Sequence, residues 1–441
     1  MTDAAADRGA SGRERFIPVR KGDLLDALRQ HGALGGESER AGFREICRRL
    51  AAICHYDYFE RLERLRQDYF YFAPDVDPHA RFGEAALAAA YADLVRSFTS
   101  VLKDANFVEL SDAEIERAHD ERKTTRVKLA FSRDDFREVR FFHRGHHTET
   151  IEVRKWAGLR KERHPVTVYE DIVLFAATRL VPAIALRRER RLLERRRIRP
   201  GSVLIKYFRN VAASDLNALY PNVRVVMGML DSLALGVPAI IGAVPILINL
   251  TSTVTVLFLV IGFYVGLVAA VEHDELKRAF AAMSGLAALI GFVTRQWLRY
   301  QRQSLKYQKE LTDNIYFRNV NNNAGIFDYM IGMAEDQECK EAFLAYYFLH
   351  TGAAAPTQDE LERTIELWLQ QTFAVDIEFQ VGEALARLDR LGLLSRDGER
   401  LAVPPSEETL TRLEHAWEGL LRSGEAGSGS SADQLRCMQR S

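Results

Sequence analysis

The feature that most constrains this chain is a run of forty residues, Ser232 to Val271, without a charged side chain. A second uncharged run extends from Ala279 to Thr294. A helix needs about twenty consecutive apolar residues to cross the hydrocarbon core of a bilayer. The sequence therefore predicts an integral membrane protein with a transmembrane region over residues 231–298.

Three segments of this region are candidate transmembrane helices, which gives two to three spans. The segment 233–250 contains Pro238 and Pro245 and is the least like a plain span. The segment 254–271 is continuously apolar, and the segment 279–298 requires charged residues at its ends to reach the interface. These segments leave the number of crossings open.

Positive side chains flank the region on both sides, with Arg224 before it and Arg295, Arg299 and Arg302 after it. Such residues near span ends favour the cytoplasm, so both termini are predicted to be cytoplasmic and the number of crossings to be even. Either 254–271 pairs with 279–298, or 233–250 pairs with 254–271. The first arrangement is favoured because the charged segment between its two helices is the least basic flank.

Composition limits the class of protein further. A chain of 441 residues has room for two or three domains, and its net charge of -1 gives no general attraction to nucleic acid. The four cysteines form no CxxC pair, which is typical of a reducing compartment. Residues 1–20 lack the apolar core of a secretory signal, and they are predicted, like 424–441, to be a disordered tail.

The remaining segments predict a mixed α+β fold. Residues 21–104 carry helical periodicity, and 105–230 contain short runs rich in Val, Ile, Phe and Thr, typical of a largely antiparallel sheet. Within that domain "EVRFFHRG" and "TIEVRKW" are predicted as separate strands, with Gly145 in the turn between them. Residues 299–350 are predicted to be a helical connector.

The C-terminal stretch 338–423 has the order of a winged-helix-like domain: helices, a leucine-rich third helix, and a hairpin around Asp397 and Gly398. Between Glu338 and Arg422 there are sixteen acids and eight bases, a net charge of -8. Acids would also begin the third helix and repel phosphate. A protein partner is therefore predicted for this domain, and nucleic acid is not.

A basic segment precedes the last strand of the α+β domain and could contact anionic lipid, which attracts each nearby positive residue by about 1 kcal/mol. Its alternative interpretation is a solvated helix or loop. The arginines predicted to touch lipid are Arg187, Arg188, Arg190, Arg191, Arg195, Arg196 and Arg197.

One cluster, in "FFHRGHHTET", has the residue types of a metal site: His143, His146, His147 and Glu149. Imidazoles and a carboxylate could bind a transition metal, with the Glu as ligand or base. The spacing matches no known metal motif, and the alternative is a polar turn. The sequence has no Gly-rich phosphate loop and no HExxH motif, and no cofactor is predicted.

Several stretches resemble the family catalogued as domain of unknown function 3754, which includes the animal transmembrane protein 143. They are "ANFVEL", "HRG", "LIKYFRNV" with "ALYPN", and most specifically "RYQRQSLKYQKELTDNIYFRNVNNNAGIFDYMIGMAEDQECKEAFLAYYFL". The resemblance covers roughly 105–349. It implies a real span directly before Arg299, and it offers no activity or catalytic residues. Because the N-terminus does not look mitochondrial, a bacterial inner membrane is expected.

Three hypotheses for function follow. The first is a non-enzymatic scaffold or adaptor that anchors cytoplasmic domains at the membrane, because the uncharged run contains no ionisable group that would mark a transport path. The second is a membrane-tethered metal-dependent enzyme that uses the His cluster. The third is a small channel, which would require a homo-oligomer.

Overall fold

A computed structural model describes residues 13–76, 83–122, 128–130, 133–155, 160–179, 199–221, 223–226, single positions and short runs from 258 to 309, 318–352, 355–420 and 422. They fall into two compact units. The first comprises 1–112, 134–213 and 319–441, and the second 113–133 and 214–318. The fold is mixed α+β with an antiparallel sheet.

The first unit begins with three helices: α1 (Lys21–Gln30), α2 (Glu37–Phe70) and α3 (Glu84–Asp104). Helix α2 buries Phe43, Ile46 and Leu50, side chains three or four positions apart that form one face of the helix. The helical structure predicted over 21–104 thus takes the form of three helices. Helix α4 (Asp112–Arg122) begins directly after Ser111.

Seven strands follow in chain order: β1 (Val108–Glu109), β2 (Lys128–Ala130), β3 (Phe136–Lys155), β4 (Arg160–Thr178), β5 (Val203–Ala212), β6 (Arg224–Val226) and β7 (Asn319–Asn322). The first unit contains an antiparallel five-stranded sheet in the order β1-β3-β4-β5-β7. In the second unit, β2 pairs with β6. The predicted antiparallel sheet is confirmed.

Strand β3 corrects one prediction. The segments expected as two strands form a single strand of 20 residues, paired with β4 along its length. Gly145 lies inside this strand at φ 70, not in a turn. The glycine that indicated a turn instead permits a local left-handed backbone conformation that other residues adopt at a cost.

The segment after the predicted membrane region also differs from expectation. The segment "NVNNNAGIFDYM" lies within the predicted helical connector 299–350, but its residues Asn319–Asn322 form β7, which pairs with β5. Helix α5 (Gly325–Thr351) begins shortly after this strand. Asparagines are poor strand formers, and pairing with an existing strand provides the stabilisation that the local sequence lacks.

The C-terminal elements are α6 (Gln358–Phe373), α7 (Val381–Arg390), the strands β8 (Ser395–Asp397) and β9 (Arg400–Ala402), and a helix, α8, over 406–420. Thr357 and Glu360 form a capping box that starts α6. Gly398, at φ 60, lies in the two-residue loop of the β8–β9 hairpin, where a positive φ is required. The hairpin lies where the sequence predicted it.

One core joins these segments of the first unit. Helix α5 contacts α1, α2, α3, α6 and α7, and the buried cluster includes side chains of the N-terminal helices, the sheet and the C-terminal elements. Ile17 and Val19 are buried in it. The disordered tail predicted over 1–20 therefore does not extend over these residues, because both side chains are buried and the Ile17 backbone forms hydrogen bonds with Gln337 and Lys340 of α5.

The predicted spans lie mostly outside the described residues, as do the predicted lipid-contact arginines 187–197. Within the span 254–271, a turn at Val265–Gly266 follows helical residues, with Gly266 at φ 80. Its N–H donates to the carbonyl of Phe263 at 3.1 Å. The described helical residues of this segment therefore end before Gly266, since glycine in this conformation commonly ends a helix.

Candidate functional site

The four residues predicted as a metal site lie on β3 but bind different partners. The Nδ1 atom of His146 is 2.9 Å from Oε1 of Glu14. The Nε2 atom of His147 is 3.2 Å from Oε1 of Glu149, and the His143 ring packs against Tyr169. No group of three or more His, Cys, Asp or Glu side chains within the described residues is arranged to hold a metal ion. The metal hypothesis gains no support from this arrangement.

The His146–Glu14 pair joins the N-terminal segment to the sheet. Glu14 also accepts a hydrogen bond from the backbone N–H of His146 at 3.1 Å. Burial raises the pKa of the Glu14 carboxyl, but the contacts with His146 outweigh it and hold that pKa below its usual value. The hydrogen bond to Glu14 raises the pKa of His146. The pair is therefore an ion pair in weakly acidic solution, and a contact rather than a ligand set.

Beside it lies a row of charges across three strands. Arg144, Asp171 and Arg209 are register partners on β3, β4 and β5, and Asp171 is 7% exposed. Its carboxylate accepts from Arg144 Nη2 at 2.8 Å, from the Tyr207 hydroxyl at 2.6 Å and from Arg209 Nε at 3.2 Å. With its oxygens engaged by several donors, Asp171 is suited to joining strands rather than to accepting a substrate proton.

Aromatic rings surround the same row. The guanidinium carbon of Arg144 is 5.0 Å from the centre of the Phe16 ring and 5.2 Å from that of Phe107. Burial, followed by the Asp171 charge, raises the pKa of Tyr207. The arrangement fixes the N-terminal segment and three strands to one another. One feature of the sequence indicates this polar arrangement: Asp171 begins the otherwise apolar run "DIVLFAA".

The second buried polar network connects α2, α5 and α7. Arg387 is 3% exposed, and its Nη1 lies 2.8 Å from Oδ2 of Asp57 and 3.2 Å from Oε1 of Glu338. Glu341, one turn further along α5, accepts from Gln337 Nε2 at 3.0 Å. Sequence reasoning missed this network because its members are far apart in the chain and each is an ordinary surface residue type.

The predicted membrane region is connected to the sheet through strands β5 and β7. This connection bears on function more directly than the two polar networks do. Strand β5 ends at Ala212, and β7 returns to pair antiparallel with it, with Lys206 opposite Asn322. The residues between these two strands include the whole uncharged run. The chain therefore leaves the sheet of the first unit after β5 and comes back to the same strand.

The comparison with known families concerns this same stretch. Residues 169–325 match the family described as Protein of unknown function (DUF3754). The matched segment runs from β4 through the uncharged region to the start of α5 and is less than half of the chain. It is narrower than the resemblance seen in the sequence, and it carries no activity. No solved structure matches the chain.

Described positions within the matched segment expose large apolar side chains. Phe258 is 71% exposed and Trp297 is 60% exposed, and both lie in helical backbone. Ile290, Phe292, Val293 and Leu298 are exposed in the same way. Contiguous exposed apolar side chains typically mark a surface that contacts lipid or protein.

Among the described residues, one helix, α3, is long and apolar enough to cross a membrane. This is weak support for a membrane protein, since the core helix of a soluble protein meets the same criterion. Helix α3 packs against α2 and α5 in the first unit and buries Leu94 and Phe98. Its place is in that core.

Proposed function

We propose that the chain is an integral membrane protein that acts as a non-enzymatic scaffold, with the first unit held on the cytoplasmic face of a bacterial inner membrane. The observation that carries this proposal is the pairing of β5 with β7 on either side of the uncharged run. Hydrogen-bonded strands lie about 4.8 Å apart, so a bilayer about 30 Å thick cannot separate them. Any crossings between Ala212 and Asn319 must then be even in number.

The charges that flank the uncharged run also favour an even number of crossings. The exposed apolar helical positions between 258 and 298 add support, because lipid would cover exposed side chains such as Phe258 and Ile290. The turn at Gly266 supports a span that ends there rather than at Val271. The sequence resemblance to the animal transmembrane protein 143 is consistent with a membrane location.

The scaffold role rests on what the first unit presents to partners. The order of α5, α6, α7 and the β8–β9 hairpin supports a winged-helix-like arrangement whose net charge is negative. Three of its acids are already paired within the unit: Asp376 with Arg13 at 2.8 Å, Glu378 with Arg15 at 3.3 Å, and Glu383 with Lys103 at 3.3 Å. A basic protein partner would therefore bind elsewhere on this surface. Contact of the arginine-rich segment with anionic lipid is part of the same proposal.

The proposal is tested by labelling single cysteines with a membrane-impermeant thiol reagent in intact bacterial cells. The parent carries Cys437→Ser, and its other cysteines, Cys47, Cys54 and Cys339, are buried. Arg44→Cys and Glu399→Cys are exposed reporters before and after the uncharged run. We expect neither to label until the cells are lysed, and the protein to stay in the membrane pellet after alkaline carbonate extraction.

A third reporter, His273→Cys, separates the two even arrangements. If position 273 labels in intact cells, the charged segment around it lies outside. If it labels only after lysis, the membrane hairpin consists of 233–250 and 254–271, which precede that segment. Opposite behaviour of positions 44 and 399 would be incompatible with β5–β7 pairing on one side of the membrane. Release of the protein by carbonate would show that it does not span the bilayer.

A further inference from the structure

A cavity of about 510 Å³ opens where α2 ends, α3 begins and strands β4 and β5 meet. Its floor is apolar and is formed by Phe72, Leu87, Tyr91 and Val203, all of which are buried. Small-molecule sites in proteins are typically apolar clefts of about 300–1,000 Å³ with a few polar groups. The size and the lining of this cavity fit such a site.

The floor is held by contacts between distant parts of the chain. The backbone N–H of Val203 donates to the carbonyl of Phe72 at 2.9 Å. The rings of Phe72 and Tyr91 meet edge to face, with their centres 5.7 Å apart. The Tyr91 hydroxyl donates to Glu138 at 2.7 Å. The apolar surface is thus preorganised, which lowers the cost of ordering it around a ligand.

Two arginines stand at the rim. The guanidinium carbon of Arg137 is 4.3 Å from the centre of the Tyr91 ring, which fixes its position. Arg179 uses Nε to donate to the carbonyl of Phe136 at 2.9 Å. Neither guanidinium forms an ion pair within the described part of the chain, so each keeps N–H donors for a ligand.

One acid, Glu84, also lines the cavity. Glu138 is engaged by Tyr91 and lies 3.7 Å from Arg140. Among the described residues, the rim therefore carries two guanidinium groups against the single carboxylate of Glu84. This balance favours an anion, while the floor favours hydrocarbon.

We propose that this cavity binds a phosphate-bearing amphiphile, with its acyl chain on the apolar floor and its phosphate between Arg137 and Arg179. Guanidinium groups bind phosphate through paired, charge-assisted hydrogen bonds, and a phosphate has enough oxygens to accept from two of them. The inference does not rest on the membrane spans, because every residue that it uses belongs to the first unit.

The test is calorimetric titration of the purified full-length chain, kept in a neutral detergent, with oleoyl lysophosphatidic acid. We expect binding that weakens at least about tenfold in the double variant Arg137→Gln, Arg179→Gln, since charge-assisted hydrogen bonds to the phosphate are lost. The matched control is Arg44→Gln, which removes an exposed arginine outside the cavity and should bind like the wild type.

A second pair of variants tests the floor without touching the charges. Ala88 lines the cavity and is exposed, and Ala89 is exposed but does not line it. We expect Ala88→Trp to weaken binding at least about tenfold by filling the space, and Ala89→Trp to leave it unchanged. Thermal unfolding of each variant checks that it is folded.

Three results would overturn the proposal. The first is unchanged affinity in both the double variant and Ala88→Trp. The second is equal affinity for oleoyl lysophosphatidylcholine, whose zwitterionic headgroup would show that the arginines do not select an anion. The third is equally tight binding of inorganic phosphate, which would indicate a site for a free anion without an acyl chain.

Discussion

At the scale of single residues, the buried acid Glu341 is the least ordinary group in the first unit. It is 4% exposed and receives a hydrogen bond from Gln337 at 3.0 Å, while Asn106 lies at 3.5 Å. Burial raises the pKa of Glu341 to about 8. The same Gln337 accepts from the backbone N–H of Ile17 at 3.1 Å. The protonated acid therefore belongs to a network that also fixes the N-terminal segment.

The raised pKa gives stability a pH dependence with a definite sign. The folded chain binds the Glu341 proton more tightly than the unfolded chain, whose pKa is near the ordinary 4.5. The stabilisation that the folded chain gains from binding this proton is complete below about pH 4.5 and is lost as the pH rises towards about 8. We expect Glu341→Gln, which cannot ionise, to be more stable than the wild type at pH 8 by a few kcal/mol, at about 1.4 kcal/mol per unit of pKa shift.

Chemical denaturation at pH 5 and pH 8 measures this prediction. The difference in stability between Glu341→Gln and the wild type should grow from pH 5 to pH 8. A constant difference across this range would mean that Glu341 ionises in the folded chain as it does in the unfolded chain.

At the scale of elements, local sequence signals account for what was predicted. The spacing of apolar residues predicted α2, and the turn residues around Gly398 predicted the β8–β9 hairpin. The failures have tertiary causes. Strand β7 consists of Asn-rich sequence that forms a strand only because β5 offers an edge, and β3 continues through Gly145 because β4 pairs with it on both sides. Neither cause can be read from a local window.

Gly145 provides a test at this scale. A Cβ atom there would lie 2.8 Å from Oε2 of Glu170, and the residue has a φ of 70. We expect Gly145→Ala to destabilise the chain by about 1–3 kcal/mol through backbone strain. Gly332→Ala should have the opposite effect and stabilise by about 0.5–1 kcal/mol, because Gly332 is exposed within α5 and its Cβ would meet nothing within 4 Å.

Equilibrium unfolding in denaturant measures both variants. If Gly145→Ala proved as stable as the wild type, the left-handed conformation within β3 would not be required for pairing with β4. The Gly332 variant then shows whether the assay resolves a change of that size.

At the scale of the whole molecule, segments of the first unit that are far apart in sequence share one core, and this explains why the candidate sites were hard to predict. The cavity draws Phe72, Leu87, Arg137 and Arg179 from four separate elements and loops. No short motif contains them. The His cluster was conspicuous in the sequence because its members are adjacent, yet its ring nitrogens face different partners. Because its members are adjacent in the chain they lie on one strand, β3, but adjacency did not give their ring nitrogens a common partner.

The shared core predicts cooperative unfolding. Ile17 is buried, and Lys340 Nζ donates to its carbonyl at 3.1 Å. We expect Ile17→Ala to destabilise by about 2–4 kcal/mol and to shift the unfolding transition reported by fluorescence of Trp368 in α6. Val108→Ala, at an exposed position, should change stability by less than about 0.5 kcal/mol. Loss of the N-terminal segment without any shift at Trp368 would indicate separate folding units.

The position of β7 has a consequence for biosynthesis. A ribosome completes β5 and must then make roughly a hundred further residues before the strand that borders β5 emerges, and closing a loop of that length carries an entropic cost. Helix α5, against which α2 and α3 pack, emerges later still. During that interval the apolar side chains of α2 and α3 that α5 later covers remain exposed, and such surfaces are prone to aggregation. The order of synthesis thus makes synthesis of the uncharged run a step that precedes completion of the core.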